Sequence, residues 1–394
     1  MKRISIIGIG MSVATTTIEG YEAIRLTDEL IGAKRMLEAY SELKKTSHEA
    51  FLPDEVEAII DGSSSEHFAV LVSGDVGFYS GATKLIEKLS AYDVRLIPGI
   101  SSMNYFFAKC GIPWQGAALI SCHGIDTDIV STVRRNQYTF ALTGGNIAAL
   151  SEALSSAGFN KLTVLTGENL GYPEERIACT NIESLKDNEY AGLTVLLIEN
   201  GGYDARIRTG IPDSEFKRTD IPMTKSEVRA VCLSKLAIRP TDICYDIGCG
   251  TGSVTVELAL SSYRGLVYSI DKSFDALALT KENCAAFHIG NVIPVIGLAP
   301  KAFYELSSPD AAFIGGSSGN MKEIVRALYN MNPHIRIVIT AVSIESVYEA
   351  IAAIEDTGCE ADVVQLCVSR TRHIAGLHML SAQNSIFIIG LGKE

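Results

Sequence analysis

The chain has 394 residues, 47% of them hydrophobic and 20% charged, and carries a net charge of −12. That length exceeds one compact core and predicts two domains, or three. The acid balance argues against a nucleic-acid partner, which calls for a basic face, and no apolar run reaches the roughly 18 residues that a membrane span requires.

In chain order, MKRISIIGIG begins with basic residues, but polar and acidic ones follow without a small-residue cleavage site. ISIIGIG (4–10) is therefore predicted to be a first buried strand of a cytoplasmic protein. Amphipathic segments at 15–40 and 80–92 alternate with apolar runs at 68–74, 94–99 and 193–200. This alternation predicts an α/β fold on largely parallel sheets. Residues 203–221 are charged and aperiodic. They place a linker at 204–221 between domains 1–203 and 222–394. A second α/β series follows, from the helix SEVRAVCLSKLAI to the strand IRIVITAV. The nine cysteines form no C-x-x-C pair, which favours reduced thiols over a zinc site, and no metal is expected.

DIGCGTGS (246–253) sets a glycine loop between a strand and a helix. Gly248, Gly250 and Gly252 permit dihedrals closed to other residues and let the backbone approach a nucleotide-like ligand. A dehydrogenase would use similar glycines for a pyrophosphate. Here the spacing is D-x-G-x-G-x-G, and the next strand, LVYSID, ends in Asp271, placed to accept from two ribose hydroxyls. The pair points to S-adenosylmethionine (SAM).

Residues 222–253, PMTKSEVRAVCLSKLAIRPTDICYDIGCGTGS, with GLAPKAF (297–303), DAAFIGGSSGN (310–320) and SRTRHIAGLHML (369–380), carry a family likeness. They resemble the class I methyltransferases that methylate carbon 15 of a precorrin and decarboxylate it during cobalamin synthesis. The resemblance spans nearly all of 220–394. It implies a Rossmann-like fold and SAM contacts at Thr224, Gly248, Cys249, Gly250, Thr251, Gly252, Asp271 and Ala299. The chain departs from that family at Leu298, where an aspartate is usual.

The amino-terminal motifs are GIGMS (8–12), SGDVGFYSGA (73–82), LIPGISSMNYFFAKCGIPW (96–114), SCHG (121–124), LTGG (142–145) and GENLGYPEERI (167–177). Over residues 1–202 they resemble the class III tetrapyrrole methylases, and GENLGYPEERI resembles the branch that methylates carbon 5. The likeness implies two α/β lobes with SAM in the cleft, contacted around Gly74, Asp75, Val76, Ser101, Ser102 and Leu142. It also turns the first loop, with Gly10, toward the tetrapyrrole, and GIGMS replaces the common GIGPG there. His123 is a candidate substrate contact. Plainer readings stand beside these: Asp75 as a turn aspartate, Ser101 and Ser102 as helix caps, His123 as a hydrogen-bonded core histidine, and Glu168 and Asn169 as loop closers.

Methyl transfer from SAM to a ring carbon is a displacement that needs alignment rather than a metal or a covalent nucleophile. Decarboxylation needs an electron sink, which the macrocycle supplies, and Glu257 is the candidate for assisting proton transfer; the alternative is a solvated helix glutamate. Arg370, Arg372 and His373 in SRTRH are candidates for gripping substrate carboxylates, or are surface charges on a hairpin. The expectation is a bifunctional precorrin methyltransferase with two SAM sites, a tetrapyrrole substrate and a homo-oligomeric state suggested by the family. A SAM enzyme acting on RNA or a small metabolite, and a tetrapyrrole-binding protein with a decayed amino-terminal site, are the alternatives.

Overall fold

The structure, a computed structural model, describes residues 1–122 and 128–392; His123 lies outside the described residues. The chain forms two compact units. One comprises Met1–Thr127, Asn136–Leu150 and Lys161–Gly201; the other comprises Asp128–Arg135, Ser151–Asn160 and Gly202–Glu394.

The first unit holds two five-stranded sheets. Strands β1 (Arg3–Gly8), β2 (Glu29–Gly32), β3 (Thr46–Glu49), β4 (His67–Val72) and β5 (Asp93–Ile97) form an all-parallel sheet in the order β3-β2-β4-β1-β5. Its central strands read as unbroken apolar runs because both faces are covered. Ile4 and Ile6 join Phe68 and Val70 in one core, while Ile7 joins Ala69, Leu71 and Leu30 in the other. The second sheet holds β6 (Ala118–Ser121), β7 (Tyr138–Leu142), β8 (Thr163–Glu168), β9 (Arg176–Asn181) and β10 (Thr194–Glu199), ordered β6-β7-β10-β8-β9. It is mostly antiparallel, because β10 runs against both β7 and β8. The expectation of largely parallel sheets fails there.

Residues 15–40, expected as helical, are split. A helix at Ile18–Leu26 gives way to β2 and then to a short helix at Lys34–Glu38. The strand ELIG is only four residues long and buried throughout, and a run that short shows no period to tell it from a helical turn.

The second unit is built on one seven-stranded sheet. Its strands are β11 (Ile243–Ile247), β12 (Leu266–Asp271), β13 (Val292–Ile296), β14 (Ala311–Ile314), β15 (Arg336–Ala341), β16 (Ala361–Leu366) and β19 (Ile386–Leu391). The order is β13-β12-β11-β14-β15-β19-β16, with only β19 antiparallel to its neighbours. Strand β17 (Ser369–Ile374) and β18 (Leu377–Ala382) form a separate hairpin. Alternate residues of the central strands feed two cores: Cys244, Val267 and Phe313 on one side, Tyr245, Tyr268 and Ile314 on the other. Pro294 is tolerated in β13 because β13 is an edge strand. Chain order reverses between β12-β11 and β11-β14, and such a switch point opens a crevice beyond the strands' carboxyl ends.

The predicted linker is partly structural. Ile211 and Phe216 are buried in the second unit's core. Among the described residues no helix is long and apolar enough to cross a membrane.

Candidate active sites

The second unit's crevice lies at that switch point. A cleft of about 400 Å³ is lined by Thr224, by Gly248, Cys249 and Gly250 after β11, by Asp271 after β12, by Leu298 and Ala299 after β13, and by Gly315–Ser318 after β14. Asp271 sits at the strand end with Oδ2 accepting from the Gly250 N–H at 3.1 Å and Oδ1 from the Ser273 N–H at 3.0 Å. Oδ2 also accepts from the Cys249 thiol at 4.0 Å, and Oδ1 keeps a lone pair for a further donor. The lining also has an apolar part, with Ile221, Pro222, Ala276 and Leu298, the last 42% exposed. One acidic acceptor together with an apolar part suits a ribose beside a flat base.

The loop glycines answer first to protein neighbours. Gly248 has φ +76°, and a Cβ there would lie 2.9 Å from the Gly316 nitrogen; at Gly252, φ +74°, it would lie 2.7 Å from Thr280. Gly252 caps the buried helix Ser253–Ser261 and Thr251 is wholly buried, so neither lines the cleft. Asp246 is also out of reach. It is fully buried, its Oδ2 accepts from the Thr255 hydroxyl at 2.5 Å, and burial pushes its carboxyl up to about 7. Burial likewise pushes the Cys249 thiol up, keeping it neutral.

A second cleft, of about 620 Å³, shares Pro222, Thr224 and Gly315–Ser317 with the first, so the two are continuous. Its polar lining includes Lys225, Ser317, Thr340, Ser343, Ser346, Gln383 and Asn384, and no carboxylate lines it among the described residues. The Gly315–Ser317 stretch, at the junction, carried a motif in the sequence without a role.

Glu257 is corrected from a proton-transfer candidate to a positioning residue. It has no exposed surface, lines neither cleft, and both oxygens are engaged: Oε1 accepts from Arg229 Nε at 2.7 Å and the Ile211 N–H at 3.0 Å, and Oε2 from the Gly210 N–H at 2.8 Å. Burial pushes its carboxyl up, while Arg229 and the two backbone donors pull it down. Arg229 is equally buried and also donates to Asp213 at 3.1 Å and to the carbonyls of Thr224 and Ile211. One guanidinium thus holds 211–213 and the cleft residue Thr224 against the core.

The SRTRH cluster does not converge. Arg370 donates to Glu227 at 2.6 and 2.7 Å and to the Ser226 hydroxyl at 3.1 Å. Arg372 and His373 are exposed on β17 and line neither cleft. His373 points to the opposite face, its ring 5.0 Å from that of His378.

In the first unit a cavity of about 270 Å³ is lined by Gly74, Asp75, Ser102 and Leu142, with Met11, Arg35, Phe78, Tyr79 and Tyr172 among the rest. Gly10 and Gly74 exchange N–H to carbonyl bonds at 2.9 and 3.0 Å, which binds the loop after β1 to the loop after β4. Gly10 itself does not line the cavity. Gly99 is forced by this packing, since a Cβ there would lie 2.1 Å from the Gly74 carbonyl oxygen. Asp75 is a turn aspartate as well as a lining residue: its oxygens accept from the Gly77 N–H at 2.8 Å and the Gly99 N–H at 3.0 Å. Ser101 caps the helix Ser102–Cys110 by accepting from the Asn104 N–H at 3.1 Å and does not line the cavity. Val76 packs on the β-sheet core. Glu168 accepts from Arg176 and the Ala191 N–H, closing the loop on which Asn169 takes φ +46°. Arg35, Tyr79 and Tyr172 escaped the sequence reading, which followed glycine motifs.

Among known proteins, residues 215–391 match the precorrin methyltransferase domain and residues 3–186 the tetrapyrrole (corrin/porphyrin) methylases. A probable cobalt-precorrin-6B C(15)-methyltransferase (decarboxylating) of Pyrobaculum calidifontis is 39% identical over 183 residues, 46% of this chain and 94% of that protein. The chain belongs to the precorrin methyltransferase family. A second relative of that family, the precorrin-6Y C(5,15)-methyltransferase (decarboxylating) of Sinorhizobium sp., is 29% identical over 388 residues, 95% of this chain and 92% of that protein. The crystal structure of a precorrin-6Y C5,15-methyltransferase from Geobacter metallireducens, 32% identical, covers 47% of this chain and 97% of its own, with a TM-score of 0.45.

Proposed function

We propose that this chain is a bifunctional, SAM-dependent precorrin methyltransferase of cobalamin synthesis. Its second unit, a Rossmann-like class I methyltransferase domain, methylates carbon 15 and removes the carboxyl of the carbon-12 acetate. Its first unit, a two-lobed tetrapyrrole methylase domain, methylates carbon 5. The observation that carries this reading is that each unit has its own cleft beside its glycine loops, with a relative of that double activity aligned along 95% of the chain.

In the second unit SAM would rest in the 400 Å³ cleft, where it supplies an electrophilic methyl on a sulfonium. There Asp271 would accept from the ribose hydroxyls, and Thr224, the Gly248–Gly250 backbone and Leu298 would line the rest of the cofactor's seat. The macrocycle lies in the adjoining 620 Å³ cleft, so donor and acceptor meet over Gly315–Ser317. Holding the two partners aligned and away from water accounts for several kcal/mol of the barrier, roughly as for other well-oriented reactions. In decarboxylation the electron pair of the breaking C–C bond would pass into the conjugated ring, which then takes up a proton as carbon dioxide leaves; among the described residues no carboxylate lines that cleft to supply it. Lys225 and the Ser343, Ser346, Gln383 and Asn384 side chains hold the ring's carboxylates by charge and neutral donors. Arg370 joins them only by exchanging Glu227 for substrate. In the first unit Gly74, Asp75, Ser102 and Leu142 surround the cofactor.

Incubation of the purified chain with precorrin-6Y and methyl-labelled SAM tests this by mass analysis. The expected product has gained two methyl groups and lost one carbon dioxide. A product with one methyl gained, or with its carboxyl retained, overturns the bifunctional reading.

A further inference from the structure

The first unit's cavity presents one cation that no carboxylate among the described residues neutralises. Among the described lining residues Arg35 alone is cationic, and the one carboxylate, Asp75, is engaged with two backbone N–H groups. Arg35 stands on the short helix after β2. Its Nη1 donates to the Tyr172 hydroxyl at 3.1 Å and its Nη2 to the Ser73 hydroxyl at 3.4 Å. Both partners are neutral, and Arg35 forms no ion pair with a described carboxylate, unlike Arg25, Arg95 and Arg176 of the same unit.

Tyr172 is itself held in place. The turn that carries it is closed by Glu175, which accepts from the Gly171 N–H and the Tyr105 hydroxyl, both at 2.7 Å. The guanidinium is thus oriented by hydroxyls that leave its charge uncompensated and most of its five N–H donors open. The surrounding wall is apolar, with Met11, Phe78, Leu142, Leu170 and Val195. A space of about 270 Å³ is too small to enclose a tetrapyrrole with its acetate and propionate arms. Such a ring would lie across the mouth, where Arg35 is exposed. A planar, oriented, unpaired guanidinium at the rim of an apolar cavity is a fork for a carboxylate.

We propose that Arg35 is the carboxylate-binding residue of the first unit, gripping a peripheral acetate or propionate of the tetrapyrrole; this rests on the carbon-5 activity proposed above. The methionyl carboxylate of SAM offers the same chemistry, and the experiment separates the two. Arg35→Gln and Tyr172→Phe are made in the full chain. KM for precorrin-6Y and KM for SAM are measured in carbon-5 methylation, with carbon-15 methylation as the internal control. Losing one charge-assisted hydrogen-bonded contact predicts that Arg35→Gln raises KM for precorrin-6Y about tenfold. KM for SAM and the carbon-15 rate stay unchanged. Tyr172→Phe, which removes only the orienting hydroxyl, raises the same KM by a smaller factor. An unchanged KM for precorrin-6Y in an active Arg35→Gln variant overturns the proposal. So does a rise confined to KM for SAM, which assigns the residue to the cofactor. Absence of carbon-5 methylation by the unaltered chain instead overturns the reading on which the proposal rests.

Discussion

Arg229 and Glu257 lie side by side with no exposed surface, at 2.7 Å. A buried pair of this kind contributes little against an apolar replacement, but removing one member strands the other's charge. Glu257→Ala is therefore expected to lower the second unit's stability by about 3–5 kcal/mol, measured by urea denaturation. The ratio of decarboxylation to carbon-15 methylation in the folded fraction stays constant, since the carboxylate reaches no substrate. Asp246 gives a pH signature. Its carboxyl, raised to about 7 in the folded state by burial, has an unfolded value of about 3.9. A raised group contributes stability that is fully present below the unfolded pKa and is lost as pH rises through the folded one. Chemical denaturation of the unaltered chain should thus show stability falling between pH about 4 and about 7 from this group, a decline absent in Asp246→Asn. The place of Asp271 at the strand end, lining the cleft beside the glycine loop, was legible directly. Asp271→Ala is expected to weaken SAM binding in carbon-15 methylation by about tenfold or more, seen as a raised KM for SAM.

At the scale of elements, loops packed against loops shape both sites. Gly8, Gly74 and Gly99 come together so tightly that Gly99→Ala would place a methyl 2.1 Å from one carbonyl oxygen and 2.4 Å from another. That variant is expected to abolish carbon-5 methylation while carbon-15 methylation continues, checked on one sample by product mass. The β17–β18 hairpin was legible as a charged motif. Its geometry was not, because which arginine meets a carboxylate depends on Glu227, 143 residues away. The pairing is exposed, so Arg370→Ala should change stability by less than about 1 kcal/mol. The Arg370→Ala, Arg372→Ala double variant should raise KM for the tetrapyrrole with KM for SAM unchanged, if Arg370 turns from Glu227 to substrate. Short β2 and the antiparallel β10 eluded the sequence for a shared reason: strand direction and four-residue pairings are set by neighbours, not by local periodicity.

For the whole molecule, two glycine-loop series of different type already announced two units, and on the proposed function their fusion would raise the effective concentration of the second site for the first one's product. The boundary was harder to see. Residues 204–221 look like a tether because they are polar and aperiodic, yet Ile211, Asp213 and Phe216 close the second unit's core and its buried ion pairs. A chain starting at residue 203 gives up the second unit's Asp128–Arg135 and Ser151–Asn160 segments but keeps the whole matched domain, 215–391; it is expected to fold and methylate carbon 15, whereas one starting at 222 should be markedly less stable, compared by thermal melting. The sequence by itself determined the α/β class, the glycine loop with Asp271 beside it and the likeness of each half to a methyltransferase family. Those features are local, since a glycine's dihedral freedom and an acid's place at a strand end travel with the chain. Tertiary structure decided which of the named residues face a cleft. Glu257, Asp246, Ser101 and Val76 turn away because buried charges, cap positions and core packing claim them, and Arg35 turns inward because Tyr172, 137 residues later, holds it there.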